Sequence, residues 1–509
     1  MRKAFVALGS AVLLCAITPT AGEEAHNHPV PEKLGAVTFP TSCAPAVKQG
    51  FDRGIALLHS FAYDAAEADF RVVSVQDPHC AMAWWGMAMT HYHQLWEPPS
   101  EGDDLAQGAD EIGRAADIAT ASPRERQFIA ALELYYRDAE QAATTVRATR
   151  YAQAMAELAK NYPDDDEVQI FYALSLIATA APSDKTHANQ KRAADILEPI
   201  WRRQPQHPGL AHYLIHAYDS TELAPRGLAA ARAYSRIAPS APHALHMPSH
   251  IFTRLGLWDD SIASNLKARA AARAAHDIGE ELHAMDYLTY AYLQRGRADD
   301  AARIVADTRA MAALPVTRFK VGYAATAMPV RFAVERHDWE AAQRLEPLLG
   351  TAPQVSAIVY WARALGHVRT KVASSADADI AQLQACVDAL NAKGDAYWAT
   401  ETLAMLRSAQ GWRFAAQGDA NSAIASLRAA ADEEDGLEKL PVTPGPIVPA
   451  REQLGEVLLL LHQPKDALRE FQSALALAPA RRGALAGAIA AAGQLGDTKT
   501  AARLRAILR

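Results

Sequence analysis

Two pairs of histidines are the residues of this sequence best suited to chemistry. His212 and His216 occur in AHYLIHAYD, and His246 and His250 occur 34 positions further along in LHMPSHIF. Residues four apart lie on one face of a helix. Two neutral imidazoles in that arrangement can bind one ion of zinc, copper, iron or nickel. The spacing therefore predicts a surface that binds a metal ion or another ligand.

Further polar side chains extend this histidine surface. His243 lies three positions before the second pair, which puts it on the same helical face. His283, Asp286 and Tyr290 repeat the spacing of the 243–250 segment 40 positions later. An aspartate there would either ligate a metal or orient an imidazole. The candidate metal ligands are His212, His216, His243, His246, His250, His283 and Asp286.

Three interpretations of this surface remain open. The first is a transition-metal site, for which the nearby sulfur of Met247 would favour copper over zinc, because thioethers are soft ligands. The second is an organic or peptide ligand, for which His93, Tyr290 and Arg254 are additional candidate binding residues. The third is hydrogen bonding between helices, with no ligand at all.

The surrounding sequence predicts paired helices that would position these side chains. The chain has 509 residues, of which 50% are hydrophobic, and it is rich in alanine, leucine and arginine, which favour helix. Pro205 and Pro239 end successive segments 34 positions apart, and Gly256 marks a turn between two helices. Pro248 falls between the histidines of the second pair, where it predicts either a helix kink or the first turn of a helix.

This period and these turns resemble the tetratricopeptide repeat (TPR) superfamily, whose helical hairpins are about 34 residues long. The resemblance covers residues 44–435 and 450–509, and it implies an all-α, TPR-like solenoid with a right-handed superhelix. In such a solenoid the first helix of each hairpin lines a concave groove, which the histidines are expected to face. The Pro-rich segment 436–449 predicts a long loop that folds over this face.

A narrower resemblance rests on the segments EKLGAVTFPTSC, ALLHSF, CAMAWWGMAM, HYLIHAYD, HALHMPSHIF and EKLPVTPGP. They resemble a family of exported bacterial TPR proteins that has no established biochemical function. Leu440 stands where that family often has a histidine, which weakens any role for the loop as a ligand donor. We therefore expect a binding protein that holds a ligand, a peptide or a metal ion. A metal-dependent enzyme, with copper as one option, and a protein-assembly scaffold are the alternatives.

The N-terminal region predicts export from the cytoplasm. Residues 1–22 combine Arg2 and Lys3 with an apolar run and small residues, as in a secretory signal peptide, and residues 23–43 are expected to be an extended arm. Exported proteins meet an oxidising environment. Cys43 and Cys80, which precede successive hairpins, are therefore expected to form a disulfide. The expected location is periplasmic or secreted.

The charge balance argues against a nucleic-acid partner. With 51 basic and 58 acidic residues the formal net charge is −7, whereas nucleic-acid-binding surfaces are basic. After the N-terminal run, no segment has the ~20 unbroken apolar residues of a membrane-spanning helix. No HExxH, phosphate-binding or dinucleotide-binding motif occurs. The expected partner is a protein, a peptide or a small ligand, and the expected cofactor, if any, is copper or zinc.

Overall fold

The computed structural model describes residues 32–95, 102–370 and 375–508, and all regular secondary structure within these ranges is helical. The all-α prediction is thus confirmed, while the predicted signal peptide (1–22) lies outside the described residues. After a short 3-10 turn (Pro45–Val47), the helices are α1 (Lys48–His59), α2 (Tyr63–Gln76), α3 (Ala81–Thr90), α4 (Gly102–Asp117), α5 (Pro123–Tyr136), α6 (Thr144–Asn161), α7 (Asp166–Ala178), α8 (Ala188–Arg203), α9 (Pro208–Tyr218), α10 (Ala224–Ile237), α11 (Pro242–His246), α12 (Pro248–Arg254), α13 (Trp258–Ala274), α14 (Ile278–Gln294), α15 (Ala298–Ala310), α16 (Phe319–Val334), α17 (Trp339–Gln343), α18 (Pro353–Arg369), α19 (Ala376–Ala392), α20 (Ala396–Ala416), α21 (Ala420–Asp435), α22 (Ala450–Leu460), α23 (Pro464–Leu477), α24 (Arg482–Gln494) and α25 (Thr498–Leu508).

Consecutive helices pack against each other, and many of them are joined by short connections into helical hairpins. The hairpin of α13 and α14 shows how the sequence sets this arrangement. Asp277 precedes α14, and its side chain accepts a hydrogen bond from the N–H of Glu280 at 3.0 Å, which satisfies an otherwise unpaired amide of the first turn. Ile262 of α13 and Leu282 and Met285 of α14 share one apolar cluster that holds the hairpin together.

The helix that carries the second histidine pair is divided at Met247. α11 ends at His246, and Pro248 is the first residue of α12. Proline has no N–H to donate to the preceding turn, so it is tolerated at a helix start and disfavoured in a helix interior. Met247 keeps helical backbone angles, with φ −52° and ψ −35°. Of the two expectations for Pro248, the structure shows the first-turn position.

The array curves so tightly that helices far apart in sequence touch. α1 packs against α9, and α14 packs against α24. The N–H of Ala36 donates to the carbonyl of Gln206 at 2.9 Å, and the indole N–H of Trp258 donates to the carbonyl of Ala480 at 3.1 Å. The face that was expected to line an open groove is therefore largely buried.

Residues 436–449 form a loop without helix that packs onto this buried face. The hydroxyl of Tyr287 on α14 lies 3.3 Å from the carbonyl oxygen of Pro441 and 3.2 Å from that of Thr443. Arg331 on α16 donates to the carbonyl of Gly445 at 2.7 Å. Two buried side chains of the array thus fix the position of the loop.

A disulfide joins Cys43, in the segment that precedes α1, to Cys80, which immediately precedes α3. Cys386 is a buried free thiol. Among the helices of the described ranges, none combines the length and the apolar character that crossing a membrane requires.

Candidate metal centre

Four helices bring six of the candidate histidines together. The first histidine group is His212 and His216 of α9 with His243 of α11, and the second histidine group is His246 of α11, His250 of α12 and His283 of α14. Within each group the three ligand nitrogens all lie within 4.8 Å of one another. All of these side chains except that of His216 are buried.

Ring nitrogens within each group face one another at short range. In the first group, Nε2 of His212 lies 3.1 Å from Nε2 of His216 and 3.2 Å from Nε2 of His243. In the second group, Nε2 of His246 lies 3.0 Å from Nε2 of His250. What holds two such nitrogens together depends on which of them carry hydrogen atoms.

In the first group, the partners of the opposite ring nitrogens define the tautomer. Nδ1 of His212 lies 2.6 Å from the backbone carbonyl oxygen of His59, and Nδ1 of His243 lies 3.3 Å from each carboxylate oxygen of Glu280. Carbonyl and carboxylate oxygens only accept hydrogen bonds, so each Nδ1 carries the hydrogen and donates it. The two Nε2 atoms that face each other therefore both carry lone pairs.

The second group has the same arrangement. Nδ1 of His250 lies 2.8 Å from Oδ2 of Asp219, and Nδ1 of His246 lies 2.7 Å from Oδ1 of Asn265. The amide of Asn265 is oriented by its NH₂ group, which donates to the carbonyl of Ser261 at 2.9 Å. Both imidazoles thus carry hydrogen on Nδ1, and their Nε2 lone pairs face each other.

Two opposed lone pairs repel each other unless a cation lies between them. Transition metals bind imidazole nitrogen at about 2.0–2.1 Å, so two nitrogens on one tetrahedral ion are about 3.3 Å apart. The Nε2–Nε2 distances of 3.0, 3.1 and 3.2 Å are close to that separation. The geometry of both groups therefore fits a bound transition-metal ion.

Burial keeps the imidazoles in the neutral form that binds metals. Burial is the main cause that lowers the pKa of His246 and of His283 well below the ordinary 6.5, and neighbouring histidines add to it. The pKa values of His212 and His216 are lowered well below 6.5 for the same reasons. Burial also lowers the pKa of His250 to about 4, although Asp219 opposes the shift. A proton is thus a poor substitute for a metal ion here.

Two buried carboxylates lie behind the histidines and remain ionised. Burial by itself would raise the pKa of Asp219, but Lys439 and Arg254, which lie 3.0 and 2.9 Å from its oxygens, hold that pKa well below its usual range. Burial by itself would also raise the pKa of Glu280, but Lys320, 2.6 Å from its carboxylate, holds that pKa well below its usual range. Carboxylates in this position orient metal-binding imidazoles and increase their basicity.

A small cavity borders both histidine groups. Its volume is about 40 Å³, and its walls are formed by Phe61, Leu95, His216, His243, Met247, His250, His283, Lys320, Pro441 and Val442. A water molecule occupies roughly 10–15 Å³ on this measure. The cavity therefore has room for a few waters or one very small ligand beside the histidines, and it is far too small for a peptide.

Asp286, a predicted metal ligand, belongs to neither histidine group. Its Oδ1 accepts a hydrogen bond from Nε of Arg331 at 3.1 Å, and both side chains are buried. The spacing that places Asp286 on the histidine face is correct for a single helix. That spacing does not predict the position of Arg331, which lies 45 residues further along, on α16. The guanidinium of Arg331 is the partner of the Asp286 carboxylate.

The three candidate ligand-binding residues, Arg254, Tyr290 and His93, lie outside the two histidine groups. Arg254 and Tyr290 line a second, larger cavity, and Arg254 also reaches the centre indirectly, because it binds the carboxylate of Asp219. The ring of His93 packs against that of Tyr63, with centroids 4.6 Å apart. The structure thus brings Arg254 close to the second histidine group, and it places His93 elsewhere.

Sequence reasoning missed the residues that hold the imidazoles. Asp219 ends the AHYLIHAYD segment, three positions after His216, and Glu280 lies three positions before His283. Both spacings put a carboxylate within one helical turn of a histidine, although the imidazoles that these carboxylates contact, His250 and His243, lie on neighbouring helices. Asn265, on α13, had no comparable signal, because its contact with His246 depends on how α13 packs against α11.

A further buried cluster joins His59 and His207 through Glu167. Nε2 of His207 lies 2.9 Å from Oε1 of Glu167, and Nε2 of His59 lies 3.1 Å from Oε2. Burial would raise the pKa of Glu167, but the two imidazoles lower it to about 2. Each carboxylate oxygen thus has one imidazole partner, whereas Nδ1 of His207 is buried and has no hydrogen-bond partner among the described residues.

Comparisons with known proteins give no close relative. No protein-family model matches the sequence, and no curated protein matches it. The chain is similar to the human IFIT1 dimer with PPP-AAAA, with a TM-score of 0.36 and 10% identity over 84% of this chain and 90% of that chain. It is also similar to the APC/C hetero-tetramer Cut9-Hcn1, with a TM-score of 0.38 and 11% identity over 87% and 76% of the two chains. These likenesses are too weak to bear on what this chain binds.

Proposed function

We propose that this protein binds two transition-metal ions, one at each histidine group. The observation that supports this most strongly is the pair of opposed Nε2 lone pairs in each group. Their Nδ1 hydrogens are already donated to His59, Glu280, Asn265 and Asp219. A metal ion satisfies the facing lone pairs together, whereas a direct hydrogen bond between them would require a hydrogen to leave a fixed Nδ1.

Copper and zinc are the ions that these donors favour. Imidazole nitrogen suits zinc, copper, iron and nickel, whereas magnesium and calcium prefer oxygen ligands. Met247 lines the cavity that both groups share, and thioether sulfur favours copper. Copper is therefore the first ion to test, and zinc is the second.

A metal-dependent enzyme is the second candidate function, and the small cavity favours it. Catalytic metal sites keep three protein ligands and one open position, whereas structural sites are closed. The hydroxyl of Tyr287 lies 3.4 Å from Nε2 of His250, and burial raises its pKa well above 10, so it remains a hydrogen-bond donor. Azide should therefore bind to the copper-loaded protein and change its visible absorption spectrum. An unchanged spectrum would contradict an open position.

The proposed location is the periplasm or the cell exterior. The signal-like residues 1–22 and the disulfide between Cys43 and Cys80 support this proposal, because disulfides persist in oxidising compartments. Alkaline phosphatase fused after residue 95 should be active in a bacterial host only if the segment directs export. An inactive fusion of normal abundance would contradict the proposal.

Elemental analysis of protein reconstituted with copper or zinc tests the proposed function. We expect two ions per wild-type chain and one per chain in the double variant His246→Ala/His250→Ala. The matched double variant His212→Ala/His216→Ala should also retain one. His79→Ala, which alters an exposed histidine, should retain two. No bound metal in the wild type, or equal metal content in all four proteins, would contradict the proposal.

A further inference from the structure

A second cavity borders the 436–449 loop and has a different chemical character from the histidine cavity. Its volume is about 150 Å³, and its aromatic wall consists of Tyr290, Tyr323, Trp361, Tyr397 and Trp398. Trp398 is only 4% exposed, and its indole N–H has no hydrogen-bond partner among the described residues. A cavity of about 150 Å³ accommodates a molecule the size of benzene.

Two carboxyl groups in this cavity form no ion pair with another described residue. Glu401 and Glu434 both line the cavity, and neither forms an ion pair with a lysine, arginine or histidine of the described ranges. Each cationic side chain of the cavity wall already has a carboxylate partner: Lys185 pairs with Glu438, Arg254 and Lys439 share Asp219, and Arg451 pairs with Asp435. Of the carboxyl groups in the described cavity wall, Glu401 and Glu434 are therefore the two that a cationic ligand could still pair with.

The hydrogen bonds of these two carboxyl groups do not replace a cation. The hydroxyl of Tyr397, which helps to lower the pKa of Glu401, accepts a hydrogen bond from the N–H of Leu440 at 3.1 Å. Glu434 accepts from the N–H of Ala450 at 3.0 Å. Burial raises the pKa of Glu401 to about 7, and burial together with Glu401 raises the pKa of Glu434 well above its ordinary value. Both groups would be stabilised as carboxylates by a positive charge placed between them.

We propose that this cavity binds a small organic ammonium ion. Aromatic faces attract cations through their quadrupoles, and the acids Glu401 and Glu434 supply the neutralising charge. The volume limits the ligand to roughly six to eight non-hydrogen atoms, by comparison with a benzene-sized cavity. A neutral ligand of the same shape, or an anion, would supply no positive charge to stabilise the two groups as carboxylates. The proposal does not depend on metal binding at the histidines.

Isothermal titration calorimetry with choline, tetramethylammonium and benzylammonium tests the proposal on the full chain without added metal. We expect saturable binding of at least one of these ions. Choline should bind at least tenfold more tightly than its neutral analogue 3,3-dimethylbutanol. Absence of saturable binding for all three ions, or equal affinity for choline and the neutral analogue, would overturn the proposal.

Variants locate the binding in this cavity. Glu401→Gln and Glu434→Gln should each weaken ammonium binding at least tenfold. Both should unfold at or above the wild-type temperature, because each removes a buried acid. Glu433→Gln is the matched control, since Glu433 pairs with Arg407 at 2.7 Å and does not line the cavity, and it should bind as the wild type does. Unchanged binding in both Gln variants would overturn the proposal.

The same titration separates this inference from the proposed metal binding. The double variant His246→Ala/His250→Ala should lose one metal ion and still bind the ammonium ion with wild-type affinity. Loss of ammonium binding in this folded variant would contradict an independent cavity, whatever its metal content.

Discussion

Nδ1 of His250 lies 2.8 Å from Oδ2 of Asp219, and only 1% and 6% of these two side chains are exposed. The same carboxylate binds Lys439 of the 436–449 loop and Arg254 at the end of α12. A single buried charge thus connects a candidate metal ligand to the loop that covers it. The first prediction follows from this connection.

Replacing Asp219 by Asn keeps the shape of the side chain and removes its charge. Lys439 and Arg254 then lack their shared buried partner, so we expect the free energy of unfolding to fall by about 3–5 kcal/mol. His250 loses a charge-assisted hydrogen bond, so metal affinity at the second histidine group should fall about 10- to 100-fold. Urea unfolding of the metal-free protein and titration against a competing chelator measure the two effects.

Asp259→Asn is the control for this prediction. Asp259 forms an exposed ion pair with Arg295, and such pairs contribute only about 0–1 kcal/mol. If Asp219→Asn changes stability and metal affinity no more than Asp259→Asn does, Asp219 does not support the centre.

Tyr287→Phe should loosen the loop without removing a metal ligand. The variant loses the hydroxyl that contacts the carbonyl oxygens of Pro441 and Thr443. A hydrogen bond of this kind contributes about 0.5–1.5 kcal/mol, so we expect metal release to a chelator to be about two- to tenfold faster. Metal content at equilibrium should remain two ions per chain. The control is Tyr292→Phe, which alters the packing side of α14 and should release metal at the wild-type rate. Identical release rates in both variants would be evidence that the 436–449 loop does not cover the metal centre.

The metal-free protein should lose stability as the pH falls below 6.5. The folded-state pKa of His250 is lowered to about 4, whereas an unfolded histidine titrates near 6.5. Between these values the unfolded chain binds a proton that the folded chain does not, so acid favours unfolding. This histidine alone contributes about 3 kcal/mol that is present above pH 6.5 and lost progressively towards pH 4.

Four further histidines also lower the free energy of unfolding as the pH falls. The pKa values of His212, His216, His246 and His283 are also lowered by burial. Urea unfolding at pH 7.5, 6 and 5 measures the effect, and the variant His250→Gln should show a shallower dependence. A free energy of unfolding that stays constant or rises over this range would contradict the neutral, buried state of the histidines.

Asp286→Asn should leave metal binding intact. The structure pairs Asp286 with Arg331 and not with a histidine, so we expect two ions per chain in the variant. The free energy of unfolding should fall by about 3–5 kcal/mol, because the buried guanidinium of Arg331 then lacks its carboxylate partner. Elemental analysis and urea unfolding measure the two outcomes. A drop to one ion per chain, in a variant that is still folded, would return Asp286 to the ligands that the sequence predicts.

The repeat period and the six histidines could be read from the sequence because both are local patterns. An interval of 34 residues between His212 and His246 places them at the same position of successive hairpins, and i, i+4 spacing aligns each with its neighbour. The burial of these histidines could not be read in this way. It arises because the array curves until α1 meets α9 and the 436–449 loop covers the face.

The partners of the histidines depend on long-range packing, which spacing does not encode. Lys439 is 220 residues from Asp219, and Arg331 is 45 residues from Asp286. Asp286 has the spacing of a metal ligand, whereas Asp219 and Glu280 reach His250 and His243 only through the packing of neighbouring helices. Helical periodicity predicts which side chains share a face, but the helix that packs opposite determines what they contact.

Anomalous diffraction at the copper edge, from crystals of the copper-reconstituted protein, tests the central claim most directly. We expect two peaks per chain, one about 2.0–2.1 Å from nitrogens of His212, His216 and His243, and the other at the same distance from nitrogens of His246, His250 and His283. Crystals of His246→Ala/His250→Ala should retain only the first peak. The absence of any peak among these histidines, or a peak only at the cluster of His59, Glu167 and His207, would contradict the account.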